Sequence, residues 1–181
     1  MIEAAMETKV QLDGDELIPD NYAKHADAQH LYHGMPTTSF PFEVTGIPED
    51  AESLAVTFTD YDSIPVCGFT WIHWTAAGID ASFAKDGVLA FPEDASNQQA
   101  FGMVQGMNSS ASRLGGSSRD PLMMCRYNGP QPPDTTHVYT LRAYALDIMP
   151  DLKEGFLLNE LVRILRAHII SWAEANLPAR S

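Results

Sequence analysis

Residues 53–74 read SLAVTFTDYDSIPVCGFTWIHW, and this stretch decides the fold. Ser53–Thr59 is rich in β-branched and aromatic residues, which predicts a strand; Gly68–Ile79, continuing as GFTWIHWTAAGI, predicts the next one. The polar cluster DYDSIP lies between them, so the two form a hairpin-like unit. Working outward, Lys9–Leu12 predicts a short early strand and His137–Ile148 (HVYTLRAYALDI) a later one. Residues 92–133 carry many Gly, Ser, Asn and Pro and form a loop-rich excursion that ends in the stiff segment YNGPQPPD. Toward the C-terminus the period changes. Leu158, Leu161, Val162, Leu165, Ile169 and Trp172 recur at helical spacing, Asp151 and Glu154 stand at capping-box spacing ahead of them, and Pro178 marks the stop. No repeat, linker or parallel βαβ alternation appears, so the reading is a mainly β chain forming one domain over residues 1–181, with one long C-terminal amphipathic helix packed on a sheet.

The balance of 24 acidic against 11 basic residues, a formal charge of −13, opposes phosphodiester backbones and anionic membrane surfaces. Nucleic acid is therefore not an expected partner, and any phosphate-like ligand has to be held by a few local groups. No run of roughly 18 apolar residues occurs, and the opening MIEAAMETKVQLDGDELIPD is acidic where a signal peptide starts basic, so neither membrane insertion nor secretion is expected. Cys67 and Cys125 belong to no CxxC or Cys/His cluster; they read as buried or half-buried free thiols in a reducing, cytoplasmic setting. His25, His30 and His33 have the spacing of a metal hypothesis but no supporting carboxylate or cysteine pattern, so they read as loop histidines, with no metal and no cofactor expected.

Three polar islands interrupt the apolar strands: Asp60-Tyr61-Asp62, the pair His73-Trp74, and the run from Tyr127 to Tyr139. Each alone reads as ordinary core or loop. Together they offer strand ends and a rigid proline loop on which polar groups can converge. A hydrolase or transferase with His73 or His137 as general base beside Asp60 is one reading. Its nucleophile would come from Ser109, Ser110, Ser117 or Ser118, yet no nucleophile-elbow pattern presents any of them, so a non-enzymatic protein is expected.

These residues carry a resemblance. SLAVTFTDYDSIPVCGFTWIHW followed by YNGPQPPDTTHVYTLRAYALD resembles the two signature regions of the phosphatidylethanolamine-binding protein family, in particular its bacterial and archaeal Raf-kinase-inhibitor-like branch. Asp60 and Asp62 match the aspartates of its DxDAP element, Ser63 and Pro65 fall at or next to its Ala-Pro, and Trp71 and His73 match the aromatic and histidine that follow. Tyr127, Gly129, Pro132, Pro133, His137 and Tyr139 match its Y-x-G-x-x-PP and H-x-Y pattern. The likeness extends from about Phe42 to Ala173. Ile64 stands as an extra residue, Val138 where an arginine is usual, and no tyrosine follows the C-terminal helix.

The resemblance implies a large central β-sheet packed with a smaller antiparallel sheet and peripheral helices, and a small anion pocket for a phosphate or phosphorylated head group. It implies a regulatory or kinase-inhibitor-like binding role, with a protein partner or a homodimer; the remaining alternative is a protein-interaction module whose pocket is vestigial. The implied ligand-binding set is Asp60, Asp62, Pro65, Trp71, His73, Tyr127, Gly129, Gln131, Pro132, Pro133, His137 and Tyr139. His73 and His137 would donate imidazole N–H groups, and the loop at Gly129 and Gln131 would add backbone N–H groups. Asp60 would orient a histidine, Pro65, Pro132 and Pro133 would stiffen the rim, and Trp71 and Tyr127 would form its walls. A tight cis bond is expected at Ile64–Pro65. Anion affinity is expected to weaken as pH rises through the ordinary histidine range.

Overall fold

The architecture was obtained as a computed structural model that describes residues 5–181; residues 1–4, the start of the acidic N-terminus, lie outside it. In chain order its strands are β1 (Glu7–Val10), β2 (Leu31–Tyr32), β3 (Met35–Pro36), β4 (Phe42–Thr45), β5 (Ser53–Asp60), β6 (Trp71–Asp80), β7 (Leu89–Phe91), β8 (Val104–Gln105), β9 (His137–Leu146) and β10 (Ile169–Ala179). The α-helical segments are α1 (Ile64–Cys67), α2 (Ala95–Gln98), α3 (Pro121–Met124) and α4 (Leu158–His168). A five-stranded sheet runs in the order β10-β9-β5-β6-β8 and a three-stranded sheet in the order β1-β4-β7, with every pairing antiparallel. This is the expected mainly β arrangement of a large and a smaller sheet.

The central strand β5 is buried along its whole length, which is why its sequence runs apolar instead of alternating. Leu54, Val56 and Phe58 join Phe40, Phe42, Phe91, Trp74, Tyr127 and Tyr139 in one core cluster drawn from both sheets. Ala55 points the other way and, with Ala77, makes room for Leu161 and Leu165 of α4 and for Phe156. Small residues on that face let the helix approach the sheet closely.

Two expectations about the C-terminus are corrected. The helix stops at His168, and residues 169–179, read as its continuation, form the edge strand β10 instead, paired with β9 from Ser171↔Ala145 to Ala179↔His137. In that segment Ala173, Leu177 and Ala179 are buried while Trp172, Glu174 and Asn176 face outward, a period of two that backbone pairing with β9 enforces over the helical period. Pro178 lies on the sheet edge, where a missing N–H is tolerated. The cap also sits elsewhere: the Glu160 carboxylate accepts from the Leu157 N–H at 2.7 Å, whereas Glu154 accepts from the Gln105 N–H and pairs with Arg126. A third correction concerns Pro65. No described peptide bond is cis; Pro65 occupies the first turn of α1, where its fixed φ suits the helix, and Gly68 closes the turn at φ 89°.

A fully buried polar relay ties the large sheet to the loop that follows it. Trp74 Nε1–H donates to Gln105 Oε1 at 2.7 Å, the Ser96 hydroxyl donates to the same oxygen at 2.6 Å, and Gln105 Nε2 donates to the Ser96 carbonyl at 2.8 Å. Ser96 Oγ in turn accepts from the Tyr127 N–H at 2.8 Å. Gln105→Ala leaves the indole N–H and the Ser96 hydroxyl without a buried partner, which costs about 2–4 kcal/mol. Chemical denaturation of the two proteins measures it; a loss under about 0.5 kcal/mol would show that the relay does not hold the fold.

Candidate functional site

Strand register builds the site. Asp60, the last residue of β5, pairs with Trp71 on one side and Tyr139 on the other, so three neighbouring strands end in one row. Because side chains two apart share a face, His73 follows Trp71 inward and His137 precedes Tyr139 toward the strand end. The His73 and Tyr139 rings lie 5.0 Å apart, edge to face, and Phe58 packs against both. These groups line a cavity of about 280 Å³ whose other walls include Trp71, Asn128, Gly129 and Pro132.

The turn between β5 and β6 is held by Ser63 and Asp60 together. Asp60 Oδ1 accepts from the Ser63 N–H at 3.1 Å, and the Ser63 hydroxyl lies 2.7 Å from the Asp60 carbonyl and 2.9 Å from that of Phe69 while accepting from the Trp71 N–H. The other Asp60 oxygen accepts from His137 Nδ1–H at 2.7 Å, as expected of a residue that orients a histidine. His137 Nε2 donates at 3.0 Å to Asp134, an exposed carboxylate on the proline-rich loop. Two carboxylates on two ring nitrogens require both to be protonated. Burial alone disfavours that cation, but the hydrogen bonds and charges of Asp60 and Asp134 outweigh it and raise the His137 pKa above its ordinary 6.5.

His73 is the opposite case, and it corrects the expectation of two imidazole donors. Its Nδ1–H donates to the Asn128 carbonyl at 2.7 Å, and burial drives its pKa down from 6.5 to about 4 in spite of that bond and of the Asp60 charge. At neutral pH the ring is therefore uncharged, with a lone pair on Nε2 that accepts no hydrogen bond among the described residues. The proline loop is also poorer in donors than expected, since the Gly129 N–H donates to the Pro36 carbonyl and Pro130, Pro132 and Pro133 have none. Only the Gln131 N–H is left to that run. The Tyr139 hydroxyl is wholly buried and makes no hydrogen bond of ordinary geometry among the described residues, its polar neighbours being the Asp60 carboxylate and the Gln131 N–H; burial first, then Asp60, push its pKa well up and keep its proton in place.

Of the residues singled out from the sequence, Asp60, Trp71, His73, Gly129, Gln131, Pro132, Pro133, His137 and Tyr139 come together around the cavity. Three do not. Asp62 is exposed and accepts from the Val138 N–H at 2.8 Å, fastening β9 to the turn. Pro65 is exposed on α1, and Tyr127 is a core residue stacked on Phe58 whose hydroxyl donates to the Tyr22 carbonyl. Cys67, expected to be buried or half-buried, is exposed at the cavity because α1 rides outside the sheet. Met35, Ser63, Val66, Gly115 and Asn128 complete the lining and were missed, as was Asp134 beside it. Asn128 and Asp134 lie inside the YNGPQPPD run, whose polar residues between the prolines were the available signal.

The other histidines remain apart. His25 faces the Ser181 carbonyl, His30 the Thr38 hydroxyl, and His33 packs against Tyr32. Among the described residues no group of three or more His, Cys, Asp or Glu could hold a metal ion, and no helix is long and apolar enough to cross a membrane.

Comparison with known proteins gives a consistent picture. The family described as phosphatidylethanolamine-binding protein matches residues 8–178. The chain is 44% identical over 171 residues to the Bacillus subtilis protein YxkA, covering 94% of this chain and 98% of that one. A UPF0098 protein of Pyrococcus abyssi is 31% identical over 163 residues, covering 88% and 76%. The crystal structure of a Chlamydia trachomatis protein described as a phosphatidylethanolamine-binding protein homologue superposes with a TM-score of 0.72 at 26% identity, covering 98% of both chains. Escherichia coli YbcL, at 22% identity and a TM-score of 0.71, has the same fold.

Nitrogen-15 NMR of the imidazoles is expected to show His73 as the neutral Nδ1–H tautomer at pH 7 and His137 as an imidazolium; Asp134→Asn should lower the His137 titration point. The two rings also act oppositely on stability. For His73 the folded value, about 4, lies below the unfolded one, so the stability it confers is present above about pH 6.5 and is lost as pH falls through about 4. For His137 the contribution is present below about pH 6.5 and is lost as pH rises through its raised value. Denaturant titrations across pH check both; a His73 resonance that titrates near its ordinary value would contradict the burial argument. Gly129→Ala places a Cβ 2.3 Å from the Tyr22 carbonyl oxygen and 2.7 Å from Pro36 Cβ, so it should destabilise the fold by about 1–3 kcal/mol, read by the same titrations.

Proposed function

The chain belongs to the phosphatidylethanolamine-binding protein family, and from that premise we propose that it is a non-enzymatic binding protein whose cavity takes a small phosphorylated or otherwise anionic ligand. The observation that carries this reading is the Tyr139 hydroxyl. It is fully buried on a residue that lines the cavity and, with the Asp60 carboxylate and the Gln131 N–H as its polar neighbours, makes no hydrogen bond of ordinary geometry among the described residues; such a donor costs about 1–3 kcal/mol unless something accepts from it. In a cavity lined by no lysine or arginine, the adjoining His137, whose pKa the hydrogen bonds and charges of Asp60 and Asp134 raise, is the side chain placed to carry positive charge toward an oxyanion. Asp60 holds that ring in place from below.

The serines that an enzyme reading would draw on support the non-enzymatic one. Ser109 Oγ accepts from the Ile72 N–H at 2.8 Å, and Ser110 Oγ accepts from Asn128 Nδ2–H at 2.5 Å; both are buried as parts of the loop scaffold, and neither lines the cavity. The acidic surface, the two free thiols and the lack of any membrane-crossing helix among the described residues fit a cytoplasmic setting.

Calorimetric titration with inorganic phosphate tests the reading. Tyr139→Phe should lower affinity about tenfold while leaving the fold as stable as before or more stable by up to about 1 kcal/mol, because it deletes an unsatisfied hydroxyl. A purely structural tyrosine would lose stability instead. Asp60→Asn should weaken binding by loosening His137, although it removes a negative charge. Absence of phosphate binding by the wild-type chain, or unchanged affinity in Tyr139→Phe, would refute the proposal.

A further inference from the structure

The cavity contains more hydrogen-bond acceptors than a fully deprotonated phosphate monoester or phosphonate can tolerate. His73 Nε2 is a lone pair, because the ring's single proton at neutral pH is committed to the Asn128 carbonyl. Asn128 Oδ1 is buried without a partner beside it. Asp60 adds a buried carboxylate that accepts from the Ser63 N–H and His137 and has the Tyr139 hydroxyl as a neighbour. On the donor side stand the Tyr139 hydroxyl and the Gln131 N–H, while His137 shares its outer N–H with Asp134. The titratable groups facing the His73 ring are Asp60 from β5, His137 and Tyr139 from β9 and the Cys67 thiol from α1; none is a lysine or arginine that could supply further protons.

We propose that this site selects its oxyanion in the protonated form, the ligand's P–OH donating to His73 Nε2 while a second ligand oxygen accepts from the Tyr139 hydroxyl. The inference rests on the anion-binding reading above and narrows it to an oxyanion that keeps a P–OH, namely a phosphate monoester or a phosphonate as the monoanion, or inorganic phosphate. A phosphodiester or a sulfate brings oxygens that are all acceptors, and one of them would face the His73 lone pair. Fully desolvated, that mismatch is as unfavourable as an unmade buried hydrogen bond. The burial that keeps His73 uncharged maintains the preference down to about pH 4.

Methylphosphonate and methanesulfonate provide the test, since as monoanions they share shape and charge and differ by one proton. Titrated into the wild-type chain near pH ~6, where monoester-like anions retain a proton, methylphosphonate should bind at least about tenfold more tightly. That ratio should shrink as pH rises to about 8 and methylphosphonate loses its proton; if the methyl group is not accepted, inorganic phosphate, which keeps a P–OH, against sulfate at pH ~8, where both are dianions, tests the same donor. Methyl phosphate against dimethyl phosphate separates a monoester source from a diester head group, and the monoester should win. His73→Gln can turn either amide atom toward the ligand, so the discrimination should collapse toward unity; should that variant not fold, the wild-type ratios decide alone. Equal binding of the protonated and unprotonated partners overturns this inference and leaves anion binding intact. Failure of every anion overturns both.

Discussion

The buried pair between Asp60 and His137 is the constraint on which the site depends. It joins the end of β5 to the start of β9 across 2.7 Å, at the point where the sheet gives way to two irregular loops. As a contribution to stability such a pair is modest, since desolvation of the two charges offsets much of their attraction. Its effect is on geometry. One Asp60 oxygen fixes the turn through Ser63 and the other fixes the imidazole, so the turn and the ring cannot move independently. The loop from Pro130 to Asp134 is then anchored through the Asp134 bond to the same ring.

Around that pair the chain keeps polar side chains in the interior by giving each of them scaffold work. Gln105, Ser96 and Trp74 form a relay that reaches the Tyr127 N–H, and Asn128 next to it receives the His73 proton on its carbonyl. Asn108 donates to the Met123 and Arg126 carbonyls and so shapes the loop from the other side. The groups left unsatisfied at the cavity are Tyr139 Oη and Asn128 Oδ1, one donor and one acceptor, beside the open His73 lone pair. Away from the cavity, Thr8 Oγ1, Thr75 Oγ1 and Arg126 Nε are likewise buried without a partner of ordinary geometry among the described residues.

The two histidines show how burial and partners divide one side-chain type into two chemical roles. Both are nearly inaccessible, at 6% for His73 and 3% for His137. His73 meets a carbonyl and is kept neutral, whereas His137 meets two carboxylates and is kept charged. Identical residues on the two strands that flank β5 thus diverge: burial lowers the His73 pKa in spite of its carbonyl partner, whereas at His137 the Asp60 and Asp134 carboxylates outweigh burial.

Much of this was legible in the sequence, for local reasons. β-branched and aromatic runs marked β5, β6 and β9, and the signature residues Asp60, Trp71, His73, His137 and Tyr139 marked the strand ends that meet. The C-terminal segment was not legible, because residues 158–172 satisfy a helical period and residues 173–179 a strand period, and only the open edge of β9 decides where one yields to the other. Nor could the sequence distinguish Tyr127 from Tyr139, two tyrosines in matching motifs, of which one stacks in the core with its hydroxyl bonded to the Tyr22 carbonyl and the other lines the cavity beside Asp60. The protonation of His73 and His137 was likewise beyond it. Strand propensity and motif spacing are properties of neighbours along the chain, whereas tautomer, charge and unmet hydrogen bonds belong to groups that lie 55 and 77 residues apart in sequence and touch only in the folded protein.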